Sequence, residues 1–203
     1  TQNGFGTAAY LGDIRPRGSK ISKGGKAAGV LPVLQDFVTM AKKVSQGNTR
    51  RGSIGNYLPI DHGDFWEVVH HLEKEPADCN VGWVVGDDFV ARLEAGDEEA
   101  IRRYKRVLKV KMITGKGYFY FVDKVNRHNP ESYKRQGFKV LTSQLCSEIS
   151  LYADKEHSFT CVLSSMNLAK YNEWKDTDAI EVATIFLDCV AQDFIEKGSK
   201  IGG

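Results

Sequence analysis

The chain has 203 residues, 41 % of them hydrophobic and 27 % charged, which is the composition of a globular protein with one substantial core rather than a disordered or fibrous one. A formal charge of +2 is too near neutral to argue for a nucleic-acid partner. The short basic run Arg102-Arg103-Tyr104-Lys105-Arg106 falls in a helical pattern and reads as a solvated face. No stretch approaches the roughly eighteen apolar residues of a bilayer span, so no membrane partner is expected.

The opening residues, Thr1-Gln2-Asn3-Gly4-Phe5-Gly6, lack the basic-then-apolar order of a signal peptide and do not start with methionine. Residues 7–11 read as an extended apolar segment. They run into a glycine- and arginine-rich loop, 12–29, in which Pro16 restrains one position while Gly18, Gly24 and Gly25 permit turns, so that the composition predicts flexibility. Arg15 and Arg17 in such a loop suit a phosphate or a base edge, or simple solvation.

From Leu31 the spacing turns helical, with Leu34, Val38 and Ala41 on one face and an exit at Gln46-Gly47-Asn48. Residues 53–60 suggest a strand. Asp64 is placed to cap a short helix, 65–72, in which Trp66, Val69 and His70 share a face. Residues 80–86, with Val81, Trp83, Val84 and Val85, suit a buried strand, and a helical segment begins at Phe89. A longer helix over 97–112 carries Ile101, Val107, Leu108 and Met112 between charged positions, with Asp97, Glu98 and Glu99 at its positive end.

Gly115-Lys116-Gly117 breaks that pattern before Tyr118-Phe119-Tyr120-Phe121-Val122, the clearest strand signal in the chain. A polar stretch follows, up to Phe138-Lys139-Val140-Leu141. Segments 144–149 and 159–163 are each short enough for a strand or a strand-end loop. Val182, Phe186, Val190 and Phe194 give residues 178–197 an amphipathic stripe. Strands alternating with helices predict a largely parallel α/β core in one structural unit, 1–203.

The four cysteines, Cys79, Cys146, Cys161 and Cys189, have neither CxxC nor zinc-like spacing. Functional thiols in a reducing compartment therefore compete with ordinary buried cysteines, and Cys79 and Cys189 are read as the ordinary kind. The most informative segment is Ser143-Gln144-Leu145-Cys146-Ser147-Glu148-Ile149. In an extended strand Gln144, Cys146 and Glu148 point to one face, placing an amide, a thiol and a carboxylate on one wall. The thiol can act as acid, nucleophile or one-electron carrier, the carboxylate can take a proton, and the amide can orient a hydroxyl. The alternative is a buried Cys146 with its neighbours at a wet edge. None of the five histidines stands in a sequence-specified relation to Cys146.

This segment resembles the ribonucleotide reductase catalytic-subunit motif Asn-Leu-Cys-x-Glu-Ile, with Gln144 at the usual asparagine. Collinear with it, Cys161-Val162-Leu163-Ser164-Ser165-Met166-Asn167-Leu168-Ala169 is similar to the segment carrying one of that family's reducing cysteines. Ser45-Gln46-Gly47-Asn48-Thr49-Arg50-Arg51-Gly52, Tyr57-Leu58-Pro59-Ile60-Asp61-His62 and Phe121-Val122-Asp123-Lys124-Val125-Asn126-Arg127 resemble further family segments in the same order.

The resemblance implies a fold, a chemistry and a site. The fold is a ten-stranded α/β barrel with a finger loop carrying the radical cysteine, of which this chain supplies much of the first half. Cys146 would become a thiyl radical and take the substrate's 3′-hydrogen. Glu148 would accept the 3′-hydroxyl proton as the 2′-hydroxyl leaves as water. Gln144 would orient substrate oxygen, with Ser143 beside it at the substrate. Cys161 would be one of two thiols that reduce the ketyl intermediate. Loop 12–29 looks like the loop that passes effector identity to substrate choice, with Arg15 reaching a substrate base and Arg17 a weaker match. Asn126 and Arg127 would brace the walls of the site, and His62 would have a structural or supporting role.

The same resemblance implies partners: a ribonucleoside di- or triphosphate substrate, nucleotide effectors, and a thioredoxin- or glutaredoxin-like dithiol reductant. The usual partner of Cys161, the phosphate-binding segment and the radical-relay tyrosines are absent, so complementary catalytic-subunit fragments are expected in a split or processed enzyme. No cofactor or metal is expected on this chain itself. The radical generator would be a small metal-containing partner subunit, as in class I, with adenosylcobalamin as the alternative. The expected location is the cytoplasm, that of the host if the source is viral. A non-catalytic structural or regulatory remnant is the competing reading, and an unrelated cysteine hydrolase a weaker one.

Overall fold

The computed structural model describes residues 6–22, 24–43, 53–77, 80–145, 147–159 and 161–198. The helix exit at 46–48, the family-like segment 45–52, Cys79 and Cys146 lie outside the described residues. The chain divides into two compact units, Thr1–Asp154 and Lys155–Gly203, each taken by itself below.

Among the described residues, the first unit is built on four parallel strands in sequential order: β1 (Gly6–Tyr10), β2 (Ser53–Pro59), β3 (Asn80–Val85) and β4 (Tyr118–Phe121). Ala8 pairs with Gly55, Tyr57 with Gly82, and Val84 with Tyr120. Parallel neighbours need crossovers, and helices supply them: α1 (Val30–Lys43), α2 (Phe65–Lys74), and the pair α3 (Asp87–Glu94) and α4 (Glu98–Thr114). The period-two alternation of the strands sorts their side chains cleanly. Leu58, Val81, Trp83, Val85 and Phe119 pack with α1 to α4 in the main core, whereas Tyr57, Val84, Tyr118 and Tyr120 gather on the opposite face. Sequential order with α1 to α4 against one face is the arrangement of part of an α/β barrel.

Trp83 has no exposed surface and lies 4.9 Å from the Phe65 ring, centroid to centroid. Trp83→Ala is expected to destabilise this unit by about 3–5 kcal/mol. A urea midpoint by far-UV circular dichroism equal to that of the parent chain would remove Trp83 from the core.

Within α4 the Asp97 carboxylate accepts the Ala100 N–H at 2.7 Å, and Gly115 closes the helix at φ 71°. Of the apolar residues singled out in this helix, Val107 is buried, with Ala100 and Val110, Ile101 is half-buried, and Leu108 and Met112 are exposed. In α2 the buried set is Phe65, Val68, Val69 and Leu72, a complete i, i+3, i+4, i+7 stripe, with His70 outside and Trp66 at the margin. The basic run is also not a plain solvated face. Arg103 lies 4.9 Å over the Phe65 ring and donates to the Ile60 and His62 carbonyls at 2.7 and 3.1 Å, and Arg106 pairs with Glu73.

The polar stretch after β4 holds two short helices, α5 (Val122–Arg127) and α6 (Glu131–Gln136), that bury no residue and so left no apolar pattern to read. In the second unit a 3-10 turn (Leu168–Lys170) and α7 (Tyr171–Trp174) precede α8 (Ala179–Gly198). The expected stripe of α8 is present, but Val182, Phe186, Val190 and Phe194 are exposed. Cys189, read as an ordinary structural cysteine beside that stripe, is exposed and free.

Candidate functional site

The segment expected to be an extended strand is instead a closed loop seated on the sheet face away from α1 to α4. The Gln144 N–H donates to the Ile149 carbonyl at 2.9 Å, and the Ser147 N–H reaches back to the Gln144 carbonyl at 3.3 Å. The buried Ser143 hydroxyl also donates to Ile149 O, at 2.6 Å. Ser147 takes a φ of 76°, a left-handed conformation that costs a non-glycine residue roughly 1–3 kcal/mol and persists only where surrounding bonds hold it. Leu145 lies over Gly6 and Gly55, where a β-carbon on Gly6 would come within 2.3 Å of Leu145 Cδ2.

Strand alternation therefore does not set the facing of Gln144 and Glu148, but loop closure brings these two together. Gln144 Nε2 donates to Glu148 Oε1 at 2.6 Å, so an amide and an exposed carboxylate meet across the turn that contains position 146. Cys146 itself lies outside the described residues, between Leu145 and Ser147.

Sequence reasoning missed the floor beneath this loop. Tyr57 donates its hydroxyl to the Gln144 carbonyl at 2.7 Å and accepts from Tyr118 at 3.0 Å. Its ring meets Tyr118 and Tyr120 edge-on, with centroids 5.9 and 5.5 Å away. Tyr120 donates to Ser150 Oγ at 2.9 Å. Burial pushes the Tyr120 hydroxyl above its ordinary pKa; the Ser150 bond opposes that shift and nearby Tyr57 adds to it. The phenol thus stays protonated and remains a donor. The signal was present in Tyr118-Phe119-Tyr120-Phe121, since alternation puts both hydroxyls on one face of a strand.

Asn126 ties the approach to the loop: Nδ2 donates to the Val122 and Val140 carbonyls, both at 2.9 Å, and Oδ1 accepts the Val140 N–H at 2.8 Å. Arg127 pairs with Asp87.

The glycine-rich loop 12–29 is more ordered than its composition suggests. Gly18 N–H bonds Ala27 O at 2.9 Å, Ala27 N–H bonds Ser19 O at 2.8 Å, and Lys20 bridges antiparallel to Lys26. The Arg17 guanidinium is engaged by Glu67 through contacts of 3.0 and 2.8 Å. Arg15 is exposed and touches the Lys20 carbonyl at 3.4 Å. Cys161, in the second unit, is an exposed free thiol. Among the described residues no three His, Cys, Asp or Glu side chains converge as a metal donor set, and no helix is long and apolar enough to cross a membrane.

A family model described as the ribonucleotide reductase barrel domain matches residues 1–103 and 99–196. The putative ribonucleoside-diphosphate reductase large subunit of Frog virus 3 (isolate Goorha) is 29 % identical over 215 residues, covering 96 % of this chain and 37 % of that protein. A vitamin B12-dependent ribonucleoside-diphosphate reductase of Mycobacterium tuberculosis is 26 % identical over 212 residues, covering 92 % of this chain and 30 % of that protein. Among solved structures, the Actinobacillus ureae class Id ribonucleotide reductase alpha subunit matches with a TM-score of 0.80 and 41 % identity over 95 % of this chain and 36 % of that one. The chain thus spans roughly a third of the length of these relatives.

Proposed function

The chain belongs to the ribonucleotide reductase barrel-domain family, and from that premise we propose that it carries the radical cysteine of a site that reduces ribonucleoside di- or triphosphates. The observation that supports this most is the Gln144–Glu148 contact at 2.6 Å across the turn holding position 146. It brings a proton acceptor and an orienting amide together two residues to either side of Cys146 in the sequence.

In this reading a thiyl radical on Cys146 takes the 3′-hydrogen of the ribose. Glu148 accepts the 3′-hydroxyl proton while the 2′-hydroxyl takes a proton from one of the two reducing thiols and departs as water. Gln144 holds a substrate oxygen, and Ser143 keeps the loop closed behind it. Cys161 and a second thiol reduce the resulting ketyl and become a disulfide, which an external thioredoxin- or glutaredoxin-like dithiol resets. Cys146 then returns its hydrogen to the 3′ carbon, so the radical is not consumed.

Residues 1–203 act here as a partial catalytic barrel unit completed by the remaining catalytic-subunit segments, on this chain or on complementary ones, and inactive in isolation. A small metal-containing subunit supplies the radical; adenosylcobalamin is the alternative, supported by the B12-dependent relatives. The chain's own residues position the thiol, whatever generates the radical. The site lies in the cytoplasm, that of the host for a viral source.

The test is product formation. The complete protein, assembled with its radical generator and a dithiol, is expected to convert ribonucleotides to deoxyribonucleotides separable by chromatography. Intact assembly with no product under either generator would favour the structural or regulatory remnant instead.

A further inference from the structure

Asp64 stands where a helix cap is expected, immediately before α2, yet its side chain makes no bond to that helix. One oxygen reaches the glycine-rich loop instead and the other the first residue of α1, where that loop ends. Oδ1 accepts the Arg17 N–H and Oδ2 the Val30 N–H, each at 2.8 Å, and the residue is 5 % exposed. Hydrogen bonds to an ionised carboxylate are roughly twice as strong as neutral ones, so this is a firm attachment. Gly29, with φ 86°, passes so close that a β-carbon would lie 2.7 Å from Asp64 Oδ2.

The same turn holds the loop at further points. His62 Nδ1 accepts the Asp64 N–H at 3.1 Å, which leaves the ring hydrogen on Nε2 to donate to the Ile14 carbonyl at 2.8 Å. A β-carbon on Gly63 would sit 2.8 Å from the Pro16 side chain, so the two residues are in close contact. Glu67 takes the Arg17 guanidinium. Residues 14, 16, 17 and 30 are therefore fastened to one short turn, while Arg15, between two fastened neighbours, is exposed and has, among the described residues, only the Lys20 carbonyl, at 3.4 Å, against its guanidinium.

We propose that Asp64 and His62 are positioning residues that hold Arg15 in place to read the substrate base, and so set which ribonucleotide the site accepts. The inference rests on the reductase reading above. A guanidinium has donors only, so it reads acceptor atoms on a base edge, and its selectivity depends on where its backbone is held. Fastening both flanks beforehand reduces the ordering cost when a nucleotide arrives.

The experiment compares kcat/KM for the four ribonucleotides, with one nucleotide effector held fixed, in the complete assembled enzyme and in its Asp64→Asn variant. An asparagine retains one acceptor, so one of the two amides meets an NH₂ group and the loop must shift. Displacement of a reading group by about 1 Å costs on the order of 10²-fold. The loss should fall on the preferred substrate, so that the ratio of best to worst collapses. Glu67→Gln, at a partly exposed partner, should shift the same ratio in the same direction by less, without threatening the fold. Amide exchange should quicken at Arg17 and Val30 in Asp64→Asn while β3 stays protected.

A uniform fall across all four substrates would mark Asp64 as merely stabilising and overturn the proposal, as would an unchanged ranking in both variants. A parent enzyme with no turnover would overturn the reductase reading instead, and faster exchange at Arg17 and Val30 would still support the fastening.

Discussion

Cys146→Ser is expected to leave no deoxyribonucleotide above background in the assembled enzyme, with assembly and nucleotide binding retained. A serine hydroxyl is close in size to the thiol, and the loop is closed by groups that the substitution leaves alone: the Ser143 hydroxyl, the Gln144 and Ser147 amides, and Tyr57 beneath the Gln144 carbonyl. What changes is the bond to hydrogen. An O–H bond is much stronger than an S–H bond, so serine cannot take up and return the radical at a useful rate. Product assayed beside a size-exclusion measurement of assembly separates lost chemistry from lost structure. Turnover at the parent rate would reject Cys146 as the radical residue.

Glu148→Gln is expected to lower kcat by roughly 10²- to 10⁴-fold, the usual contribution of a positioned proton acceptor. The amide keeps the length of the side chain and can still face Gln144 across the turn, where the carboxylate now accepts at 2.6 Å. It cannot take a proton from a hydroxyl. Because the interaction strengthens only as that proton leaves, KM should move far less than kcat. Steady-state kinetics decide the matter: a loss below about threefold in kcat, or one confined to KM, would make Glu148 a binding group and not the base.

The strands were legible because parallel strands covered on both faces read as apolar runs, and Val81-Gly82-Trp83-Val84-Val85 is such a run. The α2 helix was legible as a helix but rotated. Its stripe begins at Phe65 and skips Trp66, whose indole instead donates to Glu99 at 3.2 Å and carries Arg102 at 4.9 Å. The active-site loop was legible as a list of groups and misread as a geometry. Alternation is a local rule, whereas the shape of this loop is fixed by Tyr57, eighty-seven positions away in sequence, and by a left-handed Ser147 that no residue-type preference announces. The same holds for Asp64. Its position suggests a cap on α2, a role the side chain does not fill, and gives no sign of the amides of Val30 and Arg17, 34 and 47 positions earlier, that it accepts instead.

The tyrosine floor also limits how this site can be altered. With Tyr118 and Tyr120 on one side of β4 and Phe119 on the other, sliding that strand by one place would turn the phenyl rings toward the loop and bury the phenols among the helices. A shift of two places would restore the facing of the side chains while changing every neighbour. Length changes ahead of Tyr118 therefore act on this site in even and odd classes, and the odd class removes the Tyr118 and Tyr120 hydroxyls together, leaving Tyr57 of β2 alone beneath the loop.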